Sequence, residues 1–489
     1  MKLLDLCRGF KNQILSDFEK QKTIEAFGLA FDAREVGSNF AFFCLKGTNA
    51  DGHNFAKQAE QNGASVVFVE REVEGLNVPQ VVVKNTREAL SIASCNFFGN
   101  PSRKMKMVGI TGTNGKTSST YILQSILNCA GKKVGVIGTN GVFFDGKQLF
   151  SGMTTPDPIF LNQVLYDMAE ANTDVCVMEV SAHALELCKV SGIFFDVAEF
   201  TNLTQDHLDF FADMEQYGRA KQKLFEPHQS GLAIANADDA FCNKLLADAK
   251  IPFVTFSRQG DASICVREKI KGEKTRLKID VLGKTIETNT SLCGDFNVSN
   301  ILGAVGVAFA LGASETEISQ GIELVEPVPG RFNVFDLGDN KTAVIDFAHT
   351  PDGMVNILRE CKKLAQNKLV CLFGCGGNRD RLKRPIMGQI AGELSDKVFL
   401  TTDNPRFEDP KQILQDIAFG AFNKNAEVVV VEDRKQAILQ AFNELESGDV
   451  LAILGKGEEN YIEIAGQKYS YSDKVVLKEI LSKREEQRG

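Results

Sequence analysis

Gly109-Ile-Thr-Gly-Thr-Asn-Gly-Lys-Thr117 decides how this chain reads. The stretch grows out of an apolar run, Met105–Ile110, and leads into a helical pattern from Thr117 to Cys129. A strand, a glycine turn and a helix N-terminus in that order make a phosphate cradle. The turn aims free backbone N–H groups at an anion, and the helix dipole favours negative charge there. Lys116 is expected to bridge the outer phosphates, with Gly112, Thr113, Asn114, Gly115 and Ser118 around them. The Thr117 hydroxyl is expected to hold a magnesium ion. Ile110 stands where the usual P-loop spacing has its first glycine, so the alternative is an ordinary strand–helix turn. Such a turn rarely needs Gly-Lys-Thr together. The expected ligand is ATP.

The rest of the chain narrows the class. Its 489 residues suit about three domains. With 43% hydrophobic and 24% charged residues and no low-complexity tract, the composition is that of a soluble globular protein. No apolar run approaches the roughly 20 residues that span a bilayer. The opening Met1-Lys-Leu-Leu-Asp-Leu-Cys-Arg lacks the apolar core of a signal peptide, so a cytoplasmic, not membrane-embedded protein is expected. The 12 cysteines are scattered and lie mostly in apolar runs, as reduced thiols do. Cys371 and Cys375 have no second pair or nearby histidine to complete a zinc site. A net charge of −9 argues against general nucleic-acid binding and leaves small molecules as the expected partners, met by a monomer.

From about residue 105 onward, apolar strands alternate with amphipathic helices, the pattern of βαβ units around a parallel sheet. Strands are expected at Val134–Gly138, Val175–Val180, Val197–Asn202 and Leu232–Asn236, then a more β-like stretch from Ala262 to Thr290 and a helix near Asn297. Glu326-Pro-Val-Pro-Gly-Arg331 reads as a junction, and so does Phe98-Gly-Asn-Pro-Ser102. Beyond the first of these the pattern restarts with strands at Thr342–Phe347, Lys368–Phe373, Lys397–Thr402, Glu427–Val431 and Asp449–Leu454. The expected fold is α/β with three domains. A small mixed α/β N-terminal domain spans 1–100, a central P-loop-type, mainly parallel sheet ATPase domain 101–329, and a C-terminal Rossmann-like α/β domain 330–489.

Val177-Met-Glu-Val-Ser-Ala-His183 ends one central strand, Thr201-Asn-Leu-Thr-Gln-Asp-His-Leu-Asp209 ends the next, and Tyr217–Phe225 follows as a short amphipathic helix. Glu179 and His207 are suited to magnesium near nucleotide phosphates. The bland alternatives are a capping carboxylate and a satisfied polar histidine. Of five histidines, His53, His183, His207 and His349 sit in motif-like loops and only His228 looks incidental.

Taken together these segments resemble the Mur ligase family, the ATP-dependent amide-forming enzymes of peptidoglycan assembly. The resemblance covers essentially the whole chain. It rests on Thr111–Thr117, Glu179–His183, Asn202–Asp209, Ala220-Lys221, Gly294-Asp-Phe-Asn-Val-Ser-Asn300, Gly330-Arg331 and Asp346-Phe-Ala-His-Thr-Pro351. Within the family, Gly47–Phe55, Gly374–Asp380 and Asp403-Asn-Pro-Arg406 look like the members that add the third amino acid to UDP-N-acetylmuramoyl-L-alanyl-D-glutamate, and the last motif like those using meso-diaminopimelate.

The resemblance implies that a γ-carboxylate is phosphorylated by ATP and the acyl phosphate captured by an amine. It assigns Lys116, Glu179, His207 and a carbamylated Lys221 to the chemistry, with one magnesium on Thr117 and Glu179 and a second on Glu179, His207 and Lys221. It assigns Asn297, Asn300, Arg331, Asp346 and His349 to the nucleotide, and Arg34, His53, Thr154, Thr155, Ser181 and Lys189 to the UDP-linked substrate. For the amino acid it implies Arg379, Asp403, Asn404, Pro405, Arg406, Gly455 and Glu459. Physics supports the diacid, because a guanidinium matches a carboxylate bidentately and suits Arg379 and Arg406 as clamps. A plain Asn-Pro turn is the alternative for Asp403–Arg406, and a solvated helix lysine is the alternative for Lys221. Ala33, Lys189, Phe347, Asn378 and Glu458 depart from the family's usual residues. Rival readings are the lysine-adding ligase, a folylpolyglutamate-synthetase-like ligase, and an inactive nucleotide-binding regulator.

Overall fold

The computed structural model describes residues 1–10, 24–47, 50–150, 152–260, 262–272, 274–422 and 424–488. Thr48 and Asn49 of the Gly47–Phe55 motif, Glu273 of the expected β-rich stretch and Gly489 lie outside the described residues.

Three α/β bodies follow one another along the chain. In the first, four parallel strands (Gly28–Ala30, Phe40–Phe43, Ala64–Val69 and Gln80–Val82) form one sheet in chain order. Its helix Thr86–Phe97 is capped by the Asn85 side-chain oxygen, which accepts from the N–H groups of Arg87 and Glu88. The Ser91 hydroxyl on this helix donates to the carbonyls of Lys189 and Ser191 in the second body.

The second body is an eleven-stranded sheet. Its seven central strands are parallel, in the order Ile264–Ile270, Phe253–Ser257, Ala233–Asn236, Val197–Phe200, Lys106–Thr111, Val175–Glu179 and Val134–Gly138. Strands covered on both faces carry near-continuous apolar runs, and Val175–Glu179 is buried at every position. The strand that feeds the glycine turn lies between Val175–Glu179 and Val197–Phe200, where the winding direction reverses and α/β sheets hold their ligands. Both ends of the sheet turn antiparallel. Thr275–Val281 and Lys284–Thr290 complete one end, and Gly141–Phe144 and Lys147–Leu149 the other. The outermost strand Lys284–Thr290 lies against the helix Glu315–Glu323.

The third body has six strands in the order Asn333–Gly338, Lys341–Asp346, Val450–Leu454, Leu369–Phe373, Lys397–Leu400 and Glu427–Val430, all parallel but the first. Helices on both faces make it doubly wound, as expected.

Two expected strands stop short by two residues, Lys397–Leu400 before Thr402 and, beside the cradle, Val197–Phe200. Val197–Phe200 ends two residues before Asn202, where Thr201 and Asn202 turn their side chains to the phosphate loop. The Thr201 hydroxyl and the Asn202 amide both donate to the Asn114 carbonyl, at 2.6 and 3.0 Å. The hairpin Gly141–Leu149, the strand Phe253–Ser257 and a C-terminal hairpin, Tyr461–Ile464 with Gln467–Ser470, were not expected from the sequence.

Candidate active site

The glycine turn is tightly fitted. Gly112 and Gly115 sit at φ +154° and +90°, and a Cβ on Gly112 would lie 1.8 Å from the Thr201 hydroxyl. The Lys116 ammonium donates to the carbonyls of Gly112 and Thr113, both at 2.9 Å, and so lies across the cradle. Burial lowers its pKa; the Arg331 charge adds to the effect and Glu179 opposes it. Thr113 bonds the Thr204 backbone through its hydroxyl, and Ser118 lies buried in the first turn of the helix Lys116–Cys129.

Glu179 ends the neighbouring strand level with Ile110. One carboxylate oxygen accepts from the Thr117 hydroxyl and the Thr139 N–H, both at 2.9 Å; the other accepts from the Thr139 hydroxyl at 3.2 Å. From the third body, Arg331 donates to the same Thr117 hydroxyl at 3.0 Å. Its guanidinium also lies 4.7 Å from the centre of the Phe347 ring, so this departure from the family's usual residue still offers Arg331 an aromatic face. Asn114 bonds Asp352 of the third body at 3.1 Å. Between the two bodies lies a cavity of about 720 Å³, lined among others by Asn114, Thr117, Asn300, Arg331, Asp346 and His349.

Several residues expected at the nucleotide are held by protein partners. The Asp346 carboxylate accepts the N–H groups of Phe332 and Ala348, both at 2.7 Å, and burial pushes its pKa up against the pull of Arg331. The Asn297 amide donates to the Cys293 carbonyl and accepts from Asn300. These contacts shape the turns on which Arg331 and the cradle rest.

A second cluster lies beside the first. His207 sits at φ +58° with its Nε2 3.3 Å from Asp206. Asp206 also faces His349 at 3.6 Å and the Lys383 ammonium at 3.1 Å, the last two from the third body. Burial works to raise the Asp206 carboxyl, yet its bonds to His349 and Lys383 hold it well below the usual range. The His207 imidazole is driven down to about 3 by burial, with Asp206 opposing. It is a neutral ring able to coordinate.

Lys221 is only 1% exposed, which removes the solvated-lysine alternative. Its Nζ lies 4.3 Å from the Tyr217 ring centre, and burial, helped by the Lys116 charge, drives its pKa well below 10.5. Among the described residues no group of three or more His, Cys, Asp and Glu side chains converges to hold a metal by itself. Glu179, His207 and the Thr117 hydroxyl are each suited to magnesium, and an ion held by them would need a further anionic donor.

The amino-acid loops belong to the third body. Arg406, at φ +52°, donates from Nη1 to the Gly377 carbonyl at 2.8 Å and from Nε to Glu463 at 3.2 Å. Asn404 bonds Glu459 at 2.9 Å and accepts from Lys456 at 3.2 Å. Asp403 lies 3.8 Å from Lys456, the Pro405 carbonyl accepts the Glu408 N–H, and the Gly455 N–H donates to the Asp346 carbonyl. Arg379 is exposed, and its charge helps to lower the His183 pKa behind the larger effect of burial. The Asn378 side-chain Oδ1 accepts the Phe407 N–H, so that departure ties the two loops together. Glu458 pairs at the surface with Lys474.

Thr154, Thr155, Ser181 and Lys189 gather near Glu179. Thr155 donates to the Glu179 carbonyl and accepts the Ser181 N–H, Thr154 meets Thr139 at 3.0 Å, and Lys189 donates to the Thr155 carbonyl at 3.1 Å. Arg34 is exposed and paired with Asp32. His53 differs from the other site histidines, because both ring nitrogens are committed to the fold. Nδ1 lies 2.6 Å from Asp51, and Nε2 accepts the Glu70 N–H at 2.9 Å. Ala33 packs in the core of the first body rather than toward solvent. Sequence reasoning missed Asp206 and Lys383 as site residues. Asp206 lies inside a quoted motif, whereas Lys383 is one of several cations in the run Arg379, Arg381, Lys383, Arg384 and nothing local sets it apart.

A phosphate cradle in one body, sealed by an arginine from the next and flanked by a buried carboxylate and lysine and a half-buried imidazole, defines a nucleotide-dependent enzyme that works between domains. Family models match along the chain: the Mur ligase family, catalytic domain at residues 27–98, the Mur ligase middle domain at 110–308, and the Mur ligase, glutamate ligase domain at 330–457. The chain is 43% identical over 455 residues to the UDP-N-acetylmuramoyl-L-alanyl-D-glutamate–2,6-diaminopimelate ligase of Aquifex aeolicus, covering 93% of each. It is 37% identical to that of Clostridium tetani, covering 98% of this chain and 99% of the relative. A solved structure of a UDP-N-acetylmuramoyl-L-alanyl-D-glutamate–2,6-diaminopimelate ligase superposes with a TM-score of 0.67 at 27% identity over 99% of both chains. The MurF ligase of Thermotoga maritima in complex with ADP shares the fold, with a TM-score of 0.63 at 19% identity over 94% of this chain and 98% of that one. The chain belongs to the Mur ligase family.

Proposed function

We propose that this protein is the cytoplasmic, ATP-dependent ligase that joins meso-diaminopimelate to the D-glutamate γ-carboxylate of UDP-N-acetylmuramoyl-L-alanyl-D-glutamate, a step of peptidoglycan precursor synthesis. The observation that carries the reading is the convergence of the cradle, Arg331 and the Asp206 cluster at one interdomain cleft, in a chain 43% identical to a ligase named for this reaction. The three substrates would divide among residues 1–100 for the UDP moiety, 101–329 for ATP and 330–489 for the amino acid.

The carboxylate oxygen attacks the ATP γ-phosphorus, ADP leaves, and an acyl phosphate forms. The free amine of diaminopimelate then adds to its carbonyl carbon, loses a proton and expels phosphate, so acid, amine and ATP give amide, ADP and phosphate. Such transfers need positioning and charge neutralisation more than covalent help. Lys116 and Arg331 supply positive charge at the phosphates, while Thr154, Thr155, Ser181 and Lys189 hold the peptide end near Glu179. Closure of the third body excludes water from the acyl phosphate.

Magnesium on Thr117 and Glu179, and a second ion on Glu179, His207 and a carbamate on Lys221, would neutralise phosphate charge. Burial favours the uncharged amine at Lys221, the form that adds CO2 to give a carbamate and a proton. That anion is the donor the site otherwise lacks. Lys221→Ala should lower turnover by about 100-fold or more, a loss of roughly 3 kcal/mol of transition-state stabilisation; near-normal turnover would remove the carbamate from the scheme.

The reaction is tested by offering the purified protein ATP, the UDP-linked dipeptide, and either diaminopimelate or lysine. Phosphate release that needs all three substrates, with diaminopimelate as acceptor, is expected. Efficient use of lysine with no diaminopimelate product would overturn the acceptor assignment.

A further inference from the structure

The hairpin Tyr461–Ile464 with Gln467–Ser470 is a sheet of two strands, the second exposed along its whole length. A lone ribbon is marginal in water, and this one is sewn to the loop that carries Arg406. The Arg406 N–H donates to the Glu463 carbonyl at 3.0 Å, and the Ala465 N–H donates to the Arg406 carbonyl at 2.7 Å. The Glu463 N–H donates to the Asn404 side-chain oxygen at 2.9 Å. These bonds hold Arg406 at φ +52°, a left-handed conformation that a residue with a Cβ seldom adopts unsupported.

The side chains continue the arrangement. Arg406 gives Nε to Glu463 at 3.2 Å and one Nη1 hydrogen to the Gly377 carbonyl at 2.8 Å. A guanidinium offers a carboxylate two forks, one built on Nε and a terminal nitrogen, the other on the two terminal nitrogens. Glu463 occupies the first. The end-on fork, built on Nη1 and Nη2, is then the edge left for a second carboxylate. Asn404, which anchors the Glu463 backbone, also donates to Glu459 at 2.9 Å. One asparagine therefore fixes the spacing between Arg406 and Glu459.

We propose that Glu463 is a positioning residue that selects the edge of Arg406 by which a second carboxylate on the amino-acid substrate is read, and so sets the preference for a diacid over lysine. This rests on the proposed function, and on Arg406 as the clamp for the far carboxylate that the family resemblance implies. Two tethers, at Nε and Nη1, fix the guanidinium plane. The Glu463 charge cancels part of the arginine's field, so the far carboxylate is selected by fork geometry rather than by attraction alone.

Glu463→Ala removes the carboxylate and leaves the main-chain bonds, so the variant should melt within a few degrees of the parent. Its KM for diaminopimelate should rise about tenfold or more, the cost of losing a charge-assisted hydrogen bond. Its kcat should hold within about threefold, the KM values for ATP and the UDP-linked dipeptide should stay put, and the preference for diaminopimelate over lysine should narrow. Glu463→Gln keeps an oxygen that accepts from Nε and should restore the KM to within about threefold of the parent. An unchanged diaminopimelate KM in Glu463→Ala, an equal rise in all three KM values, or a Gln variant as impaired as the Ala variant would each overturn the proposal. A parent enzyme that makes no product from diaminopimelate would overturn the functional reading and this inference with it; an active parent with an indifferent Ala variant overturns the inference alone.

Discussion

Replacing Glu199 by glutamine should reverse sign in its effect on stability between acid and alkaline pH. Glu199 is fully buried in the strand beside the cradle strand. One oxygen accepts from the Ser119 hydroxyl at 3.0 Å, and the other has no partner among the described residues. Burial raises its pKa from the ordinary 4.5 to about 8, with the Ser119 bond opposing. Folded protein thus keeps a proton that unfolded chain gives up, and stability falls as pH rises from about 4.5 to about 8, then levels off. At 1.36 kcal/mol per pH unit the whole loss is about 5 kcal/mol. Glutamine keeps the Ser119 bond and the shape and does not titrate. Its amide also buries an unpartnered donor, so near pH 5 the variant should match the parent or fall below it by about 1 kcal/mol. Near pH 9 it should be the more stable by several kcal/mol, about 10 °C in melting temperature for a domain of this size. Thermal unfolding of both proteins at steps between about pH 5 and about pH 9, followed by circular dichroism, reads the difference directly. Melting curves that shift in parallel across that range would mean that Glu199 does not carry its proton into the folded state.

Two further perturbations follow from the site. Gly112→Ala puts a methyl group 1.8 Å from the Thr201 hydroxyl that holds the Asn114 carbonyl, and should weaken ADP binding in calorimetry by about tenfold or more; unchanged affinity would show that the loop does not hold this shape when occupied. Lys383→Met strands the buried Asp206 carboxylate at the domain boundary and should cost about 3–5 kcal/mol of stability, less when combined with Asp206→Asn. Additive losses in denaturant unfolding would remove that coupling.

The parallel strands were legible because burial on both faces writes them as continuous apolar runs, as in Val175–Glu179, and the cradle because its glycine spacing is tied to backbone geometry. The hairpin Gly141–Leu149 was not, since its outer strand has three residues, all exposed, and no apolar face to announce it. Local pattern also misjudged where Val197–Phe200 ends. Its apolar run gives way to Thr201 and Asn202, whose side chains bind a loop nearly ninety positions earlier. Lys221 sits in a polar helical stretch, and only tertiary packing buries it. Asp206 and Lys383 meet across 177 positions, a distance over which one sequence without relatives carries no signal.

The flanks of the eleven-stranded sheet have a consequence for how the protein behaves among its own copies. An open sheet edge is a template for strand addition and aggregation. At one edge, the Glu287 carbonyl of the strand Lys284–Thr290 accepts from the Ser319 hydroxyl at 2.7 Å, and the Asn289 N–H donates to Glu323 at 3.3 Å. The helix Glu315–Glu323 thus takes up hydrogen-bonding groups that a neighbouring molecule would need. At the other edge Lys147–Leu149 is too short to seed a ribbon and carries a lysine. A sheet this wide is thereby kept from growing wider in a crowded solution.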